Sequence, residues 1–221
     1  MKLAKAAAAA LPFVLAASVA MAETKNVPAE KLFPFLKTYY DLPANQRDQF
    51  TMGYFFLLDG VDRNSVSMVL KGASGDRPLN IAANGRVLPL PAAADLKAKR
   101  EIALTAPKDG KIGIDIRLIP NLAPAASMEA APLAASVKQA HDGAKKAAGL
   151  LSLAVPDYKA VCFEGAHSGT VATKSGKSVN LKLQTSGKTT APCFFPADVP
   201  DAARITLDRA PTAMYIVPKQ K

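Results

Sequence analysis

Tryptophan is absent from the 221 residues, histidine and cysteine occur twice each, and aromatic residues make up 6% of the chain. Without Trp, sugar recognition by stacked indoles is excluded. The two histidines and two cysteines form no H-x-x-x-H or C-x-x-C, so no metal or cofactor is expected. No Gly-x-Ser-x-Gly setting is present for a hydrolase serine. Aromatic residues are not interleaved with basic ones as a nucleic-acid platform would require. Beyond the N-terminal segment, no run approaches the ~20 apolar residues of a membrane-spanning helix.

What is present begins with an export signal. Lys2 and Lys5 precede a mostly apolar run, Ala6 to Ala17, and Ala20-Met21-Ala22 supplies small residues at the cleavage site. Residues 1–22 therefore read as a signal peptide cut between Ala22 and Glu23, which places the mature chain in the periplasm or the medium. No cysteine follows the cut, so no lipid anchor is expected there. Cleavage removes two lysines from a formal charge of +10. The basic excess suits contact with an anionic envelope component, or simply a solvated lysine surface. Nucleic acid is not an expected partner.

Two cysteines in an exported chain point to a Cys162–Cys193 disulfide. Their setting is repeated. Phe55-Phe56-Leu57-Leu58-Asp59-Gly60 aligns with Ala160-Val161-Cys162-Phe163-Glu164-Gly165, and Leu88-Pro89-Leu90-Pro91 with Cys193-Phe194-Phe195-Pro196, both at an offset of 105. The cysteines fall on Leu57 and Leu88. Tandem duplication is the expectation, with a Leu57–Leu88 contact in the first copy where the second has sulfur. The Ala106-Pro107 and Ala210-Pro211 steps correspond, as do Ile119-Pro120 and Val217-Pro218. Asp59-Gly60 and Glu164-Gly165 could be imagined as calcium ligands, but no Asp-rich loop accompanies them, and turn chemistry explains both.

Periodicity gives the elements. Residues 27–43 read as a helix broken at Pro34, with Leu32, Phe33, Phe35, Leu36, Tyr39 and Tyr40 supplying core packing. Strands are expected at Thr51–Leu58, Ser65–Leu70, Leu79–Ala82, Arg86–Leu88, Glu101–Thr105 and Ile112–Ile119, with a hairpin at Asn84-Gly85. Residues 121–131 read as a linker. A helix from about Pro132 to Leu151 follows, with Leu133, Val137, Ala140, Ala144, Ala147 and Leu151 on one stripe. The second set of strands is expected at Lys159–Phe163, Thr170–Thr173, Ser178–Leu183, Ala191–Phe195, Arg204–Leu207 and Ala213–Val217. The expected architecture is α+β: two tandem β-sandwich-like antiparallel modules, each preceded by a helix, at 23–120 and 132–221.

One step invites a catalytic reading, His167-Ser168, with Asp142 or Glu164 as an orienting acid. Neighbouring side chains on extended backbone point to opposite faces, so the pair is expected to be a polar turn. His141 flanks the stripe of its helix and is expected to be structural. The signal peptide, the segment Leu32-Phe33-Pro34-Phe35-Leu36 and the paired strand modules together resemble uncharacterised exported proteins of Gram-negative bacteria. That resemblance implies no activity and transfers no site. The expected function is a non-enzymatic envelope protein that binds or scaffolds a partner through its β modules. The alternatives are a periplasmic hydrolase using His167 and Ser168, and adhesion to anionic envelope surfaces.

Overall fold

A computed structural model describes residues 22–73, 75–148, 155–186 and 189–218. Residues 1–21 of the expected signal peptide, Leu151 of the expected helix, and Lys188, Lys219 and Lys221 lie outside the described residues. The chain is α+β and mostly antiparallel sheet.

The first half opens with β1 (Ala22–Pro28), then short helices α1 (Ala29–Leu32) and α2 (Leu36–Asp41). Pro34 lies in the break between them, and Phe35 beside it takes the left-handed conformation at φ 67°. Leu32, Phe33, Leu36 and Tyr39 are buried, whereas Phe35 is 66% exposed. Strands β2 (Phe50–Asp59), β3 (Ser67–Leu70), β4 (Arg77–Ile81) and β5 (Val87–Leu88) follow. A one-turn helix α3 (Ala93–Lys97) leads to β6 (Glu101–Pro107) and β7 (Lys111–Pro120). β1 was not expected: its Glu23, Thr24, Lys25 and Asn26 are exposed, so no apolar alternation marks it. It pairs with β6 over seven residues, Ala22 with Pro107 to Pro28 with Glu101, as a polar edge strand.

Strand β8 (Ser127–Glu129) occupies part of the stretch expected as a linker, and α4 (Ala130–Ala148) carries Pro132 in its first turn, where the missing N–H costs nothing. Leu133, Val137 and Ala140 bury its stripe. Then come β9 (Tyr158–Glu164), β10 (Gly169–Thr173), β11 (Ser178–Asn180), β12 (Lys182–Ser186), β13 (Thr189–Phe194), β14 (Ala202–Leu207) and β15 (Ala213–Pro218).

Three open sheets result. One has the order β1-β6-β3-β4-β5, another β8-β14-β10-β11 from the opposite edge, so four strands of each half follow the same sequence of neighbours. The third, β12-β13-β9-β15-β7-β2, draws on both halves. β2 pairs with β7 and β9 with β15 in the same hairpin-end sense. After each of β2 and β9 the chain turns at a glycine of positive φ, Gly60 at 66° and Gly165 at 88°, which accounts for the repeated acidic–Gly step without a metal. One continuous core joins all three sheets to the helices, through Met68 and Ile102, Val171 and Ile205, Tyr54 and Phe163, and Leu133 of α4.

Cys162 and Cys193 sit opposite each other in the β9–β13 pair and are bonded, with Cα atoms 4.0 Å apart. The expected Leu57–Leu88 counterpart is not formed. Leu57 pairs with Gly113 and Leu88 with Asn80, and both are half exposed, at 53% and 45%. β2 touches β5 at Phe55 and Arg86, a register that carries Leu88 towards Gly53 rather than Leu57. The offset of 105 that sets Leu57 on Cys162 and Leu88 on Cys193 is therefore not matched by a corresponding contact in the first half.

The loop that the disulfide closes spans 31 residues. Replacing both cysteines by alanine should therefore lower the unfolding free energy by about 3–4 kcal/mol in urea titrations. A loss below about 1 kcal/mol would show that the β9–β13 pair holds without it.

Candidate functional site at the seam of the shared sheet

His167 and Ser168 lie on the exposed turn between β9 and β10. They line a surface groove together with Asp208, but the carboxylate is engaged by the backbone: Oδ1 accepts from the N–H of His167 at 2.9 Å and of Ser168 at 3.2 Å. Those two backbone bonds, with Arg209 adding to them, hold the Asp208 carboxyl down at about 2. Asp208 thus shapes the turn and orients no imidazole, and no side-chain hydrogen bond joins His167 to Ser168 among the described residues. Of the two acids considered, Asp142 pairs with Lys138 on α4 and Glu164 with Arg117 of β7. His141 Nδ1 is buried 3.4 Å from Asp157 Oδ1 without a hydrogen bond. No cluster of three His, Cys, Asp or Glu side chains suited to a metal is found among the described residues, and no helix among them is long and apolar enough to cross a membrane.

Two further cavities lie where the halves meet. β7 and β15 are joined by one backbone pair, Leu118 with Ile216. The antiparallel register would set Ile116 opposite Pro218, whose nitrogen has no proton to donate, so the ladder stops there. Pro218 in turn pairs with Tyr158 at a bulge in β9.

Below the seam, between the sheet and α2 and α4, is a cavity of about 270 Å³. Its floor is Phe50, Met52, Ile116 and Leu118, and its roof is Tyr39 and Leu42 with Gly143, Ala144, Ala147 and Ala148 of α4. The lining is largely apolar, and the Tyr39 hydroxyl on it is occupied, donating to the Phe50 carbonyl at 2.9 Å. The space exists because this end of α4 presents only small side chains to the sheet.

Above the seam is a second cavity, of about 290 Å³, with a mixed lining. Arg117 is its centre. The guanidinium lies 4.7 Å from the Phe55 ring and 4.5 Å from the Tyr215 ring. Nε donates to Asp115 Oδ2 at 2.7 Å and Nη1 to Glu164 Oε1 at 3.4 Å. Burial works against the cation, yet the Asp115 bond and the charges of Asp115 and Glu164 outweigh it and hold the Arg117 pKa above its ordinary value. Gln184 and Thr189 of the β12–β13 hairpin complete the rim, Gln184 Nε2 donating to the Pro218 carbonyl at 3.1 Å. Ile116, Leu118, Pro156 and Tyr158 line both cavities. Burial raises the Tyr158 pKa, so its phenol stays a neutral donor, and its hydroxyl has no partner among the described residues.

Sequence reasoning pointed to none of these groups as a site. The sequence placed Ala144 and Ala147 on the apolar stripe of their helix and singled out neither Arg117 nor Tyr158. The small residues on α4 were the available signal: a stripe that shrinks from Leu and Val to Ala and Gly leaves either a tight contact or a void. No protein-family model, curated protein or solved structure matches the chain, so no activity or residue role passes to it from a relative.

The turn carrying His167 and Ser168 should be acid-labile. The Asp208 carboxyl, at about 2 in the folded chain, lies below the ~3.9 of an unfolded aspartate. Its contribution is whole above about pH 4 and is lost as the pH falls towards 2. In urea titrations across that window, wild type should lose stability relative to Asp208→Asn. Parallel acid profiles would show that the cap contributes nothing.

Proposed function

We propose that this chain is an exported, non-enzymatic binding protein of the bacterial envelope, and that it holds a small apolar ligand in the cavity between α4 and the shared sheet. The observation that carries this reading is that cavity: about 270 Å³, bordered by side chains from both halves and lined almost wholly by carbon. Its size falls near the lower end of the ~300–1,000 Å³ of small-molecule sites, and few polar groups converge on it, as such sites require. Export rests on the N-terminal signal. Cleavage after Ala22 would leave β1 whole from Glu23 and able to pair with β6. Against the hydrolase reading stands the engagement of Asp208 by two backbone amides. Against broad adhesion to anionic surfaces stands the pairing of many lysines, among them Lys37 with Asp41, Lys71 with Asp76 and Lys182 with Asp198.

We also infer that the two halves arose by duplication of one β module. The matching neighbour orders support it, as does the seam, which pairs Leu118 with Ile216. These are corresponding positions when Pro120 is aligned with Pro218, so an approximate twofold would pass between them.

The mature chain, residues 23–221, should bind the apolar dye N-phenyl-1-naphthylamine saturably and one to one. Ala144→Leu and Ala147→Leu fill the cavity and should weaken that binding at least tenfold while keeping or raising the melting temperature. His167→Ala and Ser168→Ala should leave it unchanged. Absence of saturable dye binding would overturn the reading.

A further inference from the structure

The proposed apolar ligand has a polar neighbour to explain: the second cavity, which shares a wall with the first. We propose that the ligand is a single-chain amphiphile with an uncharged polyhydroxyl head, its chain in the cavity under α4 and its head beside Arg117 on the opposite side of the seam. This rests on the binding function proposed above and adds the chemical class of what is bound.

Three observations carry it. First, the two cavities lie on either side of the weakest joint in the sheet, where β7 and β15 share one backbone pair and Pro218 cannot extend the ladder. Ile116, Leu118, Pro156 and Tyr158 belong to both linings. A chain threaded there crosses from an apolar to a polar environment within one sheet thickness, as an amphiphile does. Second, the size suits one short chain. At about 270 Å³ the inner cavity is too small for a drug-sized or two-chain ligand. Third, the outer cavity sets two carboxylates against one guanidinium and pairs both of them with it. Arg117 is already held by Asp115 and Glu164. An anionic head would meet two carboxylates, and a cationic head would meet the guanidinium, so either would have to displace an existing pair. Hydroxyl groups have no such conflict. They can donate to the free lone pairs of Asp115 and Glu164 and accept from the unpartnered Tyr158 hydroxyl and from Gln184.

The test uses the mature chain and amphiphiles below their critical micelle concentrations, read by calorimetry and by displacement of the naphthylamine dye. Octyl β-glucoside or monooctanoylglycerol should bind at least tenfold tighter than octanoate and octyltrimethylammonium. Which of the two is preferred identifies a sugar or a glycerol head. Affinity should rise from hexyl to octyl and then level off as the inner cavity fills. Glu164→Gln should weaken the neutral amphiphile three- to tenfold with dye binding unchanged, because the dye needs only the inner cavity, which Glu164 does not line. Equal binding of 1-octanol and octyl glucoside would overturn the proposal by showing that the head makes no contact. Octanoate binding as tightly as octyl glucoside would overturn it by assigning an anionic ligand. Both results would leave the apolar binding function standing if the dye still binds. Binding gained only after Leu150→Ser, Leu151→Ser and Leu153→Ser would also overturn it, with the chain's own leucines as the occupant.

Discussion

Arg117 lies against the corner formed by the Phe55 and Tyr215 rings, whose centroids are 5.9 Å apart, and holds Asp115 and Glu164 through its N–H groups. Those residues come from β2, β15, β7 and β9, so one guanidinium touches two strands of each half. A planar, always-charged fork can lie against aromatic rings and donate along its edge at the same time, which an ammonium cannot do. The backbone makes this necessary. With one pair between β7 and β15, the seam has almost no ladder, and its cohesion falls to side chains: Arg117 on one face, and Met52, Leu118, Val161 and Ile216 in the core on the other. The cavities are the complement of this arrangement. A full ladder would have closed the sheet between them.

The helix side completes the picture. α4 begins with Leu133 and Val137 packed against the sheet, then changes to Ala140, Gly143, Ala144 and Ala147. Gly143 is in close quarters, since a Cβ there would come within 3.3 Å of Leu42 and Phe50. The backbone of α4 thus approaches α2 and β2 at Gly143, while the alanines one turn on leave open space. Close approach at one turn and a void at the next fix the position and the size of the inner cavity.

Much of this architecture was legible in the sequence. The period-2 runs of β3, β7 and β10, the Asn84-Gly85 hairpin, the Pro34 break and the cysteine pair each depend on local chemistry, and each is found. β1 was not legible, because Glu23 to Asn26 form a polar edge whose partner, β6, lies some 80 residues away in sequence. The Leu57–Leu88 contact failed for a related reason. Residue identity in a strand cannot fix register when every second position is apolar, and here β2 slides relative to β9. The site was the least visible part. Its defining property is a backbone pair that is not made, and sequence pattern carries no mark for that beyond the proline at 218.

The disulfide has its explanation in the same geometry. β13 meets β9 through two residue pairs, Cys193 with Cys162 and Phe194 with Val161, and beyond it only β12 follows at the sheet edge. In the first half β5 also has a slight hold on β2, but it is secured from the other side by pairing with β4. β13 has no such second support, since β12 depends on it in turn. A covalent bond at the short β9–β13 ladder therefore does for the second half what the β4–β5 pairing does for the first. It also fixes the β12–β13 hairpin, which brings Gln184, Thr189 and Ala191 to the rim of the outer cavity. The inner cavity takes no side chain from that hairpin. The disulfide is thus coupled to the polar half of the site and largely independent of the apolar half.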